Sequence, residues 1–140
     1  MRILIVNGPN LNLIGTRKPE VYGSVSLDEM LKTLSDREGV RVEMLQSNLE
    51  GELINIMQKS DHDGIILNAG GYSHTSVSIR DCVEAIQIPV VEVHISNITS
   101  REEFRHTSLI SPVAIGCIFG FGLSGYELAL DYFQNYLNKR

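Results

Sequence analysis

The chain has no tryptophan and only two cysteines in 140 residues. Cys82 and Cys117 lie far apart with no C-x-x-C spacing, which removes a disulfide scaffold and a cysteine-based zinc site. Each sits in an apolar pattern, so both are expected as small core residues. Long apolar runs are missing too: none approaches the ~20 residues of a membrane-spanning helix. The first run, Ile3–Val6, is interrupted by Asn7-Gly8-Pro9-Asn10 too soon for a signal peptide. We therefore expect a cytoplasmic protein with no membrane partner. Positive charge is scarce: 12 Lys and Arg against 17 Asp and Glu leave a net charge of −5. That balance argues against nucleic acid as the main partner, although one pocket could still bind an anion. Neither G-x-G-x-x-G nor G-x-x-x-x-G-K-[ST] occurs, so dinucleotide and phosphate-loop readings fail. No serine lies in a G-x-S-x-G elbow. The four histidines give no H-x-x-x-H or H-E-x-x-H pattern, so no metal site is expected.

What is present is an alternation. Five short apolar runs, residues 2–7, 40–45, 64–68, 89–95 and 113–119, read as strands. Between them lie stripes with helical period: Leu27, Met30, Leu31, Leu34; Leu49, Leu53, Ile56, Met57; Ile79, Cys82, Val83, Ile86; and, after the last strand, Tyr126, Ala129, Leu130, Phe133, Leu137. Ser26 with Glu29 marks a capping box, and Gly39 supplies a helix stop. Strand and helix alternating in this way call for a parallel sheet with helices on both faces. The runs 64–68 and 113–119 are continuously apolar, as strands covered on both sides should be. The expected fold is α/β: a flavodoxin-like three-layer sandwich, with a five-stranded parallel sheet of order 2-1-3-4-5 and residues 1–140 as a single domain.

In such sheets ligands bind beyond the carboxyl ends of the strands. Those ends read Asn7-Gly8-Pro9-Asn10, Gln46-Ser47-Asn48, Asn68-Ala69-Gly70-Gly71, His94-Ile95-Ser96-Asn97 and Gly120-Phe121-Gly122. They offer the hydrogen bonds and close backbone approach of a polar small-molecule site, although turns and caps use the same residues. The loop from Gly8 to about Ser24 exceeds the ~2–6 residues usual for a strand-to-helix connection. It carries Arg17, Lys18 and Tyr22 between Gly15 and Gly23; by spacing alone an active-site lid and a surface insertion fit equally. His94 follows Glu92 by two residues, so carboxylate and imidazole share a strand face. The pair suits a general acid, and a satisfied histidine near the core is the bland alternative. Arg101 and Arg105, four residues apart after the capping Ser100, would share a helix face if that segment is helical. They would then recognise a carboxylate or phosphate, unless they simply form a solvated face with Glu102 and Glu103. Residues 68–76 open a glycine turn into a helix start, where backbone N–H groups with Asn68 and His74 could hold an anion; Ser73 or Thr75 could equally be an N-cap.

These segments together resemble the type II 3-dehydroquinate dehydratases. The resemblance runs through N-G-P-N-L-N-L-I-G-T-R at 7–17, Tyr22-Gly23, N-A-G-G-Y-S-H-T-S at 68–76, Arg80-Asp81, V-E-V-H-I-S-N at 91–97, R-E-E-F-R at 101–105 and G-F-G-L-S-G-Y at 120–126. It implies dehydration of 3-dehydroquinate to 3-dehydroshikimate by anti elimination through an enolate, with no cofactor. In that frame Tyr22 matches the base that takes the proton beside the ketone. Arg17 would favour the ionised tyrosine, His94 is the acid, and Glu92 orients it. Asn10 helps hold a water near the enolate oxygen. Asn68, His74, the Ile95–Ser96 pair and Arg105 match substrate-binding positions, Arg101 supports the lid, and Asp81 matches an aspartate that reaches a neighbouring subunit's site. The resemblance also implies trimers stacked into a homododecamer. Lys18, Gly71 and Ser73 depart from the commoner family wording, on positions with no catalytic role. Two other readings stay open: a non-catalytic binding module of the same fold, and a metal-dependent hydrolase using His74, His94 and His106.

Overall fold

A computed structural model describes residues 1–14 and 25–139. Arg17, Lys18 and Tyr22, the residues of the expected lid, therefore lie outside the described residues. Five parallel strands, β1 (Arg2–Asn7), β2 (Arg41–Gln46), β3 (Gly64–Asn68), β4 (Val90–His94) and β5 (Gly116–Phe119), form one sheet of order β2-β1-β3-β4-β5. Among the described residues, four helices follow the periodic stripes: α1 (Leu27–Ser35), α2 (Glu50–Lys59), α3 (Val77–Ala85) and α4 (Ser124–Leu137). The α/β class and the strand order are as expected.

Alternation along the strands divides the interior into two cores. Ile3, Ile5, Ile66, Val91 and Val93 pack with α1 and α4 through Leu27, Met30, Leu34, Ala129, Leu130 and Phe133. Leu4, Val6, Ile65, Leu67 and Val90 pack with α2 and α3 through Leu53, Met57, Ile79, Cys82 and Val83. The capping box forms as expected: Glu29 N–H donates to Ser26 Oγ at 3.1 Å, and Ser26 N–H donates back to Glu29 Oε2 at 2.9 Å. Gly39 takes a φ of +73°, but α1 has already ended at Ser35, so the glycine turns the connection rather than capping the helix.

Two expectations fail at the sheet's edge. β5 is an edge strand whose Gly116 and Cys117 are exposed and whose Ile118 and Phe119 are only half-buried. An apolar run does not report whether a second strand or helix covers it, and here little does. Cys117 is accordingly a surface thiol, whereas Cys82 is buried as expected.

β1 and β3 run in register so that Asn7 pairs with Asn68 at their carboxyl ends. Just beyond, Gly8 N–H donates to the Asn68 carbonyl at 2.7 Å. A Cβ on Gly8 would lie 2.5 Å from the Ala69 carbonyl oxygen, so only glycine lets the two loops meet here. Those loops form the floor of a cleft.

Candidate active site

The cleft is lined by Asn10, Asn68, His74, His94, Ile95, Ser96, Arg101 and Arg105, with Pro9, Leu11, Gly70, Gly71 and Ile98 between them. It lies at the carboxyl edge of the sheet, where a doubly wound topology leaves room for a ligand. Seven of the proposed site residues other than Glu92 therefore meet in one place, together with the Ile95 backbone.

Glu92 lies beneath the cleft and is fully buried. Being two residues before His94 on β4 puts the carboxylate beside the ring, and His94 Nε2 sits 2.8 Å from Glu92 Oε1. The carboxylate also accepts from Ser108 Oγ at 2.5 Å on Oε1 and from Ser111 Oγ on Oε2. Burial pushes the Glu92 pKa up. The hydrogen bond and charge of His94 and the two hydroxyls outweigh it and hold the carboxyl below its ordinary value. The magnitudes agree with that order: burying an ionised carboxylate costs several kcal/mol, and hydrogen bonds to a charged group return about 1.5–3 kcal/mol each. Since Glu92 is ionised, Nε2 is the protonated nitrogen of His94, and Nδ1 is left for the cleft.

His74 stacks on His94, with ring centroids 5.9 Å apart and planes 26° apart. Its Nδ1 lies 2.8 Å from the Thr107 carbonyl, which can only accept, so Nδ1 carries a proton and Nε2 is left for a ligand. His74 belongs to a 3-10 turn, Gly70–His74, and the cap of α3 is Ser76 rather than Ser73 or Thr75: Ser76 Oγ accepts from Ile79 N–H at 2.9 Å. Ser73 is buried, and its hydroxyl has no hydrogen-bond partner among the described residues.

Arg101 and Arg105 reach the cleft by a different route from the one their spacing suggests. The segment is two short 3-10 turns, Ile98–Ser100 and Glu103–Arg105, and Asn97 rather than Ser100 caps the first. Arg101 donates to Ser96 Oγ at 3.1 Å, and His106 Nε2 sits 3.0 Å from the Arg101 carbonyl. Arg105 Nε donates to Glu102 Oε2 at 2.5 Å, and its guanidinium lies 4.9 Å from the centre of the Phe104 ring. Each arginine is thus braced at one edge.

Asn10 adopts a left-handed φ of 69°, which asparagine tolerates better than most residues, and its N–H donates to Asn48 Oδ1 at 3.0 Å. Asn68 Oδ1 accepts from Gly70 N–H at 3.1 Å, and its amide donates to Tyr126 Oη at 2.9 Å. Tyr126 in turn donates to Asn7 Oδ1 at 2.6 Å, and its full burial pushes the phenol pKa up, so it stays a neutral donor. Sequence reasoning placed Tyr126 in an apolar stripe and in the segment 120–126, named Asn48 only among the strand-end residues, and passed over Ser108 and Ser111. A buried glutamate in a strand was the one signal that donors had to exist elsewhere.

Asp81 does not join the cleft. It stands exposed on α3, 3.2 Å from Arg80 Nη1. Among the described residues, no group of three or more His, Cys, Asp or Glu side chains is placed to hold a metal ion, so His74, His94 and His106 do not assemble as a hydrolase centre would require.

Comparison with known proteins places this arrangement. Residues 1–134 match the family model described as dehydroquinase class II. A 3-dehydroquinate dehydratase of Trichodesmium erythraeum is 54% identical over 99% of this chain and 95% of its own length. One from Fusobacterium nucleatum is 49% identical over 99% and 100%. The crystal structure of a type II dehydroquinase from Butyrivibrio crossotus superposes with a TM-score of 0.92 at 41% identity, covering 96% of this chain and 97% of the other. That from Propionibacterium acnes gives 0.90 at 40% identity, covering 96% of each. With a family model spanning nearly the whole chain and relatives this similar, the chain belongs to the class II dehydroquinases.

Proposed function

We propose that the chain, acting as a single catalytic domain in the cytoplasm, dehydrates 3-dehydroquinate to 3-dehydroshikimate, a shikimate-pathway step toward aromatic amino acids. The observation that carries this reading is the buried Glu92–His94 pair opening onto a cleft that Arg101 and Arg105 also line, in a chain of this family. The elimination runs anti through an enolate. Tyr22, kept ionised by Arg17, removes the proton beside the ketone. Asn10 holds a water at the developing oxyanion. The His94 imidazolium gives its Nδ1 proton to the departing hydroxyl, so that water leaves and the ring ends neutral with Nε2–H still on Glu92. His74, Asn68, Ile95, Ser96 and Arg105 grip the hydroxyls and the carboxylate, and Arg101 supports the lid. No cofactor takes part. Asp81, exposed outside its own cleft, serves a neighbouring subunit's site in a homododecamer built from trimers.

The test uses substrate deuterated at the carbon between ketone and carbinol, on the face anti to the hydroxyl, followed by proton NMR with EDTA present. We expect 3-dehydroshikimate free of deuterium. Product that keeps the label contradicts the anti course, and absence of product from folded protein contradicts the dehydratase reading.

A further inference from the structure

The segment between Arg105 and β5 carries no proposed catalytic residue, yet its backbone holds His74 and its hydroxyls hold the carboxylate that pairs with His94. We propose that Ser108 and Ser111 are positioning residues: their hydroxyls clamp the two oxygens of Glu92, which fixes His94 with Nε2 inward and Nδ1 toward the substrate. This rests on the dehydratase reading for its kinetic consequences, but the clamp itself is a matter of geometry. Ser108 Oγ accepts from Ile110 N–H at 3.1 Å and from Ser111 N–H at 3.2 Å. Both lone pairs are thereby engaged, so its one proton is committed to Glu92 Oε1, 2.5 Å away. Ser111 supplies the second donor, on Oε2. The same turn offers the Thr107 carbonyl to His74 Nδ1 at 2.8 Å, and it is tied to the turn after β3 by Leu109 N–H on the Ser73 carbonyl at 2.8 Å. One five-residue turn therefore sets the tautomer of two stacked rings, leaving Nε2 of His74 and Nδ1 of His94 for the ligand.

Two of the three hydrogen bonds that oppose the burial of Glu92 come from these hydroxyls. Without them the desolvated carboxylate gains its proton at higher pH, and His94 loses the acceptor that defines its tautomer. Among the described residues, the other titratable or charged groups around this unit are His94 on the same strand, His74 stacked on it, and Arg101, Arg105 and His106 from the segment before the turn.

The experiment compares the full-length protein with Ser108→Ala, Ser111→Ala, the double variant and Ser111→Thr. Steady-state kinetics against pH are read beside 15N NMR signals of the His94 ring. We expect the double variant to lose about 10–100-fold in kcat, as when the group orienting an imidazole is removed, with KM changed by less than about threefold. The acid limb of its kcat profile moves to higher pH, and the Nε2–H signature of His94 gives way to a mixture of tautomers. Each single variant shifts both readouts part of the way, which serves if the double variant does not fold, and Ser111→Thr stays close to wild type. Folded alanine variants that retain the wild-type acid limb and a pure Nε2–H His94 would overturn the proposal. Wild-type protein inactive on 3-dehydroquinate would sink the dehydratase reading instead, and the ring signals would still decide the clamp.

Discussion

A carboxylate can accept hydrogen bonds on every side, and an amide cannot. Glu92 uses that property fully, with three donors on its two oxygens and no exposure to water. Glu92→Gln turns an NH2 group toward at least one of those donors. We expect it to lower stability by about 1–3 kcal/mol, the cost of an unsatisfied buried polar group, and kcat by about 10²–10⁴-fold, the range for a lost general acid. Denaturant titration and steady-state kinetics check the two. The pH dependence follows from the direction of the shift: the folded pKa of Glu92 lies below the unfolded one. Its stabilisation is therefore present above the unfolded value and is lost as pH falls through the folded value, below the usual carboxylate range. The wild-type denaturation midpoint should fall more steeply there than that of Glu92→Gln, and parallel curves would contradict the assignment. At this scale the sequence was half legible. The i, i+2 spacing placed Glu92 beside His94, but Ser108 and Ser111 lie 16 and 19 residues away, and nothing distinguishes their hydroxyls from those of any loop until the chain has folded.

Among the elements, two glycines separate stability from function. Gly8 lets the loops after β1 and β3 touch at the cleft floor, where a Cβ would lie 2.5 Å from the Ala69 carbonyl oxygen. Gly64 opens β3 at the opposite end of the sheet, where a Cβ would come within 2.6 Å of the Phe133 ring. Both alanine variants should lose about 1–3 kcal/mol from overpacking. Gly8→Ala should also depress kcat/KM by moving Asn10 and Asn68, whereas folded Gly64→Ala should keep it; thermal melts and kinetics on the same preparations decide. The strands and helices were readable because their periods, 2 and 3.6, are properties of local sequence. The exposure of β5 was not, because a run such as Gly116–Phe119 looks the same whether or not a neighbour covers it. The i, i+4 spacing of the arginines did not mean a shared helix face. Two 3-10 turns, not one helix, bring Arg101 and Arg105 to the cleft, and the Arg101–Ser96 and Arg105–Glu102 hydrogen bonds that brace them have no periodic signature.

Across the whole molecule, a chain of net charge −5 gathers two arginines and two histidines at one cleft. An anionic substrate is drawn to that spot against the general field, and salt weakens the attraction as the Debye length falls from about 30 Å at 0.01 M to about 8 Å at 0.15 M. KM for 3-dehydroquinate should therefore rise severalfold over that range while kcat holds, and a KM indifferent to salt would argue that the arginines do not meet the substrate's charge. The surface also exposes Ile115, Phe121, Leu128 and Tyr132, each more than 40% accessible in the single chain. If they are covered in a dodecamer, analytical ultracentrifugation should give the mass of twelve chains, and a monomer would remove the role given to Asp81. Alternating strands and helices implied a parallel sheet with its site at the carboxyl edge, whereas the order β2-β1-β3-β4-β5 was taken over from flavodoxin-like folds and did not follow from the alternation. The central claim is that this cleft removes water from 3-dehydroquinate with His94 as the acid. Ultraviolet absorbance tests it directly, because the product is a conjugated enone carboxylate. Purified protein with EDTA should raise the absorbance, and Tyr22→Phe and His94→Ala should each abolish most of the rise. No rise from folded wild-type protein, or a rise undiminished in His94→Ala, would contradict the account.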